Sequence, residues 1–217
     1  MDSIANQKRD MIKKILPAAL VILFIGCTKE THCPPFPYEL ESWISLYQGE
    51  EVTFTGPHSS QSFSIVEQSS SKFYTVGRTE ACECESSSRS KTNVDSTNNI
   101  QLICYANKLN RRTDFEYKFQ HYGYYNGVFY YPERYDSFRF CIKENGDIES
   151  ATYTDGVKVN GKTYNHVILA ELDTASMPGT TIYRIYIAQN EGIIKYCHRR
   201  LGDFELTERT GRYEPTY

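Results

Sequence analysis

What this 217-residue sequence has little of narrows it first. It holds one Trp and three Met, and its 24 Lys and Arg are outnumbered by 27 Asp and Glu. At a formal charge of −3 and a pI near 6.0 it lacks the basic field that a nucleic-acid partner requires, so that class of partner is not expected. It has no His-Glu-x-x-His and no Gly-x-Ser-x-Gly, and no stretch reads as a phosphate-binding loop. The common signatures of zinc peptidases, serine hydrolases and nucleotide hydrolases are therefore missing from this reading. No apolar run reaches the roughly 20 residues that cross a bilayer as a helix. What is plentiful is Tyr (18), Phe (11) and Cys (7). Aromatic-rich, Met-poor composition suits pleated sheets better than helices.

The one apolar run, Ile15 to Ile25, follows Lys13 and Lys14 and closes on Gly26-Cys27. A basic flank, a short apolar stretch and a small residue at its end describe a secretory signal. Met11 offers a second start, closer to the basic pair than Met1. Phe24-Ile25-Gly26-Cys27 resembles the lipobox of bacterial lipoproteins, with Phe24 where Leu, Val or Ile is usual. That resemblance implies cleavage before Cys27, a diacylglycerol on its thiol and an acylated new amino terminus, with palmitate among the chains. Several acyl chains anchor stably where one is marginal. Lys29-Glu30, just past Cys27, looks like the surface-export signal of Bacteroidetes lipoproteins. The expected location is the outer membrane, lipid-anchored, with the cell surface favoured over the periplasmic face.

The organisation that follows is a signal peptide over 1–26, a tether over 27–38 broken by Pro34, Pro35 and Pro37, one antiparallel β-domain over 39–208, and a tail over 209–217. Leu40, Trp43, Ile44 and Tyr47 have the three-four spacing of a short helix. Beyond Gly49 the pattern alternates. Glu51–Thr55, Ser62–Glu67, Lys72–Val76, Ile100–Asn107, Asp114–Tyr122, Val128–Tyr131 (ended by Pro132) and Ser137–Lys143 read as strands. So do Ile148–Tyr153, Val157–Val159, Thr163–Leu172, Ile182–Ala188, Ile193–His198 and Phe204–Thr207. Asn126-Gly127, Asn145-Gly146 and Asn160-Gly161 are hairpin signals. Residues 86–99 are polar and read as a solvated loop. The fold class expected is mainly β: a single antiparallel sheet, strongly curved or half-barrel, with a short N-terminal helix.

Two blocks resemble a family of uncharacterised Bacteroidetes cell-envelope lipoproteins. One is Ser42-Trp43-Ile44 with Tyr47-Gln48-Gly49-Glu50-Glu51-Val52-Thr53-Phe54 and, downstream, Cys82-Glu83-Cys84-Glu85. The other runs from Val159-Asn160-Gly161-Lys162-Thr163-Tyr164-Asn165-His166-Val167 through Tyr186-Ile187-Ala188 and Gly192-Ile193-Ile194-Lys195-Tyr196 to Gly202-Asp203-Phe204-Glu205-Leu206. The resemblance implies a fold like the half-barrels of lipoprotein carriers and an envelope location. It brings no reaction and no catalytic residues.

With Cys27 lipidated, Cys33, Cys82, Cys84, Cys104, Cys141 and Cys197 remain. An even number outside the cytoplasm points to disulfides, with 15 possible connectivities. Cys82 and Cys84 are too close to bridge each other, so each should reach elsewhere, Cys104 and Cys33 being the candidates; Cys141 and Cys197, both mid-strand, pair. Cys82-x-Cys84 has one residue too few between its thiols for a zinc site, and no metal or other cofactor is expected. Cys197-His198 puts its side chains on opposite faces of a strand, and Ser88-Arg89-Ser90-Lys91 lacks the helix that would bring Lys under Ser. Tyr122, Tyr124, Tyr125, Phe129, Tyr130 and Tyr131 form the one unusual patch, a candidate ligand platform on a hairpin. The function expected is non-catalytic: binding or envelope structure, with a glycan or another envelope protein as possible partner. The alternatives are a carrier sheltering an acyl chain in a half-closed sheet, or a carbohydrate-binding surface module.

Overall fold

The computed structural model of the protein describes residues 38–44, 46–75, 81–92, 99–109, 111–125, 128–173, 175 and 179–211. The signal, the tether, Cys27 and Cys33 lie outside the described residues. Helix α1 (Tyr38–Glu41) is a single turn that runs into a 3-10 turn at Ser42–Ile44. The strands are β1 (Glu51–Thr55), β2 (Ser60–Thr75), β3 (Ala81–Thr92), β4 (Asn99–Leu109), β5 (Arg112–Tyr125), β6 (Val128–Lys143) and β7 (Ile148–Glu149). They continue as β8 (Thr152–Thr154), β9 (Val157–Val159), β10 (Lys162–Tyr164), β11 (Val167–Glu171), β12 (Ile182–Ala188), β13 (Gly192–His198) and β14 (Gly202–Thr210).

The fold is mainly β and antiparallel, with one short helix among the described residues. Twelve strands form one sheet in the order β7-β6-β5-β4-β3-β2-β1-β14-β13-β12-β11-β8, which is open, with edges at β7 and β8. The single-sheet expectation is corrected: β9 and β10 pair only with each other, in a separate two-stranded sheet. Side-chain bonds explain the detachment. Asp155 accepts a bond from the His166 amide, Asn165 accepts one from the Gly156 amide, and His166 takes a positive φ of 55°. These bonds stop the run that the sequence reads as one strand from Thr163 to Leu172, and leave β11 free to pair with β12.

Three further expectations are corrected. Ser62–Glu67 and Lys72–Thr75 belong to one strand, β2, with Val76 outside the described residues, and the polar stretch read as a loop over 86–99 is strand as far as Thr92. A strand needs no apolar face when both of its edges are paired, and β3 is paired by β2 on one side and β4 on the other. Pro132 does not end its strand either. The β5–β6 register shifts between His121 and Tyr124, and Pro132 sits opposite Tyr122 in that irregularity, where a missing donor is tolerated.

The inner face carries the core, as the two-residue period requires. Phe115, Tyr117 and Phe119 on β5 are buried, while Glu116 and Lys118 between them are half-buried and Arg112 and Asp114 before them are exposed. Tyr196 on β13 is the hub. Its ring stacks on Phe204 at 4.9 Å, meets Phe54 at 5.2 Å and reaches Phe119 at 5.6 Å, while its hydroxyl donates to Gln61 at 2.6 Å. Phe119 and Tyr196 sit on strands with β4, β3, β2, β1 and β14 between them, so the inner faces of the two halves of the sheet pack on each other. Trp43, Ile44 and Leu46 are buried with this core, and the Tyr117 hydroxyl donates to the Trp43 carbonyl. That bond gives the buried phenol its partner.

Candidate functional site

The cysteines settle first. Cys104, Cys141 and Cys197 are buried free thiols, so the expected Cys141–Cys197 bridge is a correction. Both lie outside the apolar core cluster, on the outer face, and β5, β4, β3, β2, β1 and β14 separate their strands in the sheet. Cys104 points the other way, into the core. Its neighbour on β3 is Ser88, and Cys84 stands opposite Lys108, four residues further along the ladder. At about 3.3 Å per residue that is a gap of roughly 13 Å, so a Cys104–Cys84 bridge is also excluded by register. The side chains of Cys82 and Cys84 lie outside the described residues. Burial pushes the Cys197 thiol up to about 12, with the hydrogen bond to Asp203 adding to it, and burial also raises Cys104. Such thiols behave as small apolar groups and are poor nucleophiles.

Other sequence candidates separate as well. His198 accepts bonds at Nδ1 from the Arg200 and Leu201 amides, both at 3.1 Å, so it caps a turn and does not serve Cys197. One motif escaped the sequence reading. Gly156 to Thr163 spells the Gly-x4-Gly-Lys-Thr spacing of a phosphate loop. It folds as the β9–β10 hairpin around Asn160-Gly161 (φ 44° and 78°), with a strand where such a loop needs a helix. The Tyr-rich patch (Tyr122, Tyr124, Tyr125, Phe129, Tyr130, Tyr131) lies on the ends of β5 and β6, which pair as far as Tyr125 opposite Val128. Its side chains lie outside the described residues.

The described surface adds what the sequence did not single out: a groove of about 510 Å³ on the outer face of β4, β5 and β6, bounded by Glu149 of β7 and Ser150 just after it. The register builds it in rows. Tyr105 pairs with Glu116 and Glu116 with Arg139; Asn107 pairs with Asp114 and Asp114 with Cys141. Glu116 accepts from Ser137 Oγ at 2.6 Å and Arg139 Nη2 at 3.0 Å, with Lys118 Nζ 3.4 Å away. Burial alone would raise this carboxyl. The bonds from Ser137 and Arg139 and the charge of Lys118 outweigh it and hold Glu116 below its ordinary value. Lys118 lies over two rings, 5.9 Å from the centre of Tyr105 and 5.5 Å from that of Tyr135, which is 60% exposed.

A second polar cluster ties β6 to the start of β12. Asp136 on β6 is 3% exposed and accepts from His121 Nε2 at 3.2 Å, the Thr181 amide at 3.2 Å and the Ile182 amide at 2.8 Å. Burial opposes ionisation there too, and these bonds together hold the carboxyl below its ordinary value. Among the described residues no group of three His, Cys, Asp or Glu is placed to hold a metal. No protein-family model matches the chain, and no match is found among curated proteins or solved structures.

Proposed function

We propose that this is a lipid-anchored protein of the outer membrane that acts by binding, displayed at the cell surface through Cys27. The carrying observation is the groove on β4–β6, in which acids, cations, an amide and the Tyr105 ring converge on a surface built from rigid strands. The anchor rests on the signal and the Gly26-Cys27 junction.

Binding is favoured over catalysis by the state of the groups involved. Glu116 and Asp136 are held ionised below the ordinary range, and the Cys104 and Cys197 thiols are held protonated above theirs. A general acid or base near pH 7 requires the opposite shift in a carboxyl, and a nucleophile the opposite shift in a thiol. In this reading the sheet is a strongly curved half-barrel. Its two edge strands, β7 and β8, are joined through Ser150 and Ala151 alone, and three Cα–Cα steps span at most about 11 Å. The carrier alternative draws less support, because the rings around Tyr196 occupy the space between the two inner faces.

Labelling with an alkyne analogue of palmitate in the native host, followed by protease treatment of intact cells, tests the reading. Label on the wild type, none on Cys27→Ala, and digestion from outside are the expected results. An unlabelled wild-type chain, or one protected in intact cells, contradicts it.

A further inference from the structure

We infer that the β4–β6 groove binds a neutral glycan, an uncharged sugar chain lying across the three strands. This rests on the binding reading above and names its ligand. Three properties of the groove select that chemistry.

The first is charge. Arg112 pairs with Asp114, Arg139 and Lys118 pair with Glu116, and Lys143 pairs with Glu149 at the edge. Each cation of this face has a carboxylate beside it, with Arg139 and Lys118 sharing Glu116, so a charged ligand must compete with an existing pair to gain a partner. A polyol does not. Its hydroxyls donate to remaining carboxylate lone pairs and accept from guanidinium protons while the pairs stay intact.

The second is the rings. Tyr105 lines the groove, and Tyr135 stands beyond its lining on the same outer face, with Lys118 between the two rings; Tyr135 is one of only two exposed large apolar side chains among the described residues. An exposed ring standing beside fixed hydrogen-bonding groups matches a sugar, which has an apolar C–H face and a polar rim. A purely apolar ligand would leave the ion pairs buried without their water.

The third is shape. A volume of about 510 Å³ falls in the range of small-ligand sites. The groove lies on the outer face of the sheet, and the same β5 and β6 strands continue past Tyr135 into the Tyr122–Tyr131 segment. A chain of several sugars can therefore run along the strands.

The test uses the full lipidated chain in a detergent without a sugar headgroup. Calorimetric titration measures hexasaccharides of neutral glucan, mannan, xylan and galactan against a hexagalacturonate, at low and high salt. The expected result is binding of at least one neutral oligosaccharide, with affinity insensitive to salt. Tyr135→Ala, at an exposed position that leaves the fold intact, weakens it roughly tenfold, and Arg139→Gln weakens it by a similar factor. Tighter binding of the hexagalacturonate, or a steep loss with salt, overturns the neutral ligand while keeping the groove as a binding site if Tyr135→Ala abolishes it. No binding by any neutral sugar, or binding that both substitutions leave unchanged, overturns the inference. The membrane anchor is judged separately by the palmitate label.

Discussion

At the scale of single residues, Asp136 does the most with the least exposure. It satisfies two backbone amides at the start of β12 and the His121 ring from one buried carboxylate. Replacing it with Ala leaves those donors without an acceptor, so Asp136→Ala should cost about 3 kcal/mol in urea denaturation. The pH dependence follows from its lowered pKa. A carboxyl whose folded value lies below its unfolded one contributes stability that is complete above the unfolded value, about 4, and is lost as pH falls through the folded value. Melting temperature should therefore fall as the pH drops below about 4, and Asp136→Asn should flatten that fall. A wild-type melting temperature constant down to strong acid would contradict this. Nothing in the sequence announced the cluster. His121 and Asp136 lie on opposite arms of a hairpin, and their third partner, Thr181, joins only when the sheet brings β6 to β12. The thiols were misread for a related reason: seven Cys and an export signal suggest bridges, but strand parity sends Cys141 and Cys197 outward on distant strands and Cys104 inward.

At the scale of elements, turns were legible and polar strands were not. Asn160-Gly161 carries its own φ requirement and folds as the hairpin its dipeptide indicates. The strands Ile182–Ala188 and Ile193–His198 were readable because β-branched and aromatic residues fill them. β3 has no such signal. Ser86, Ser87, Ser88 and Ser90 give no alternation, and the strand exists because β2 and β4 pair its backbone from both sides. Hydrogen exchange should therefore find the amides of Glu83–Arg89 protected to a degree comparable with β4. Ser88→Pro, which removes a donor between two paired neighbours, should lower the denaturation midpoint and expose β4 as well. Rapid exchange across this segment would contradict the twelve-stranded sheet. The groove was out of reach for the same reason. Tyr105, Glu116 and Arg139 come from three strands, and only their register puts them in one row.

At the scale of the whole molecule, β1 and β14 are neighbours at the middle of the sheet, and a buried ion pair locks them. Arg209 Nε lies 3.1 Å from Glu50 Oε1, with Glu50 fully enclosed, and the same guanidinium donates to the Glu191 carbonyl on the β12–β13 turn. Arg209 lay at the start of the expected C-terminal tail, but β14 extends to Thr210 and makes it structural. Arg209→Met strands the Glu50 carboxylate and should cost about 3–5 kcal/mol, whereas combining it with Glu50→Leu should recover much of that loss. A fully additive double variant would contradict the pairing.

The proposed lipid anchor and the unbridged cysteines are tested together by one mass measurement. Intact mass is measured on the membrane-extracted protein, alkylated after unfolding, with and without prior reduction. The expected result is a chain beginning at Cys27 with a lipid increment, and Cys104, Cys141 and Cys197 alkylated equally in both samples. A chain without lipid, or a Cys141 and Cys197 that react only after reduction, would contradict it.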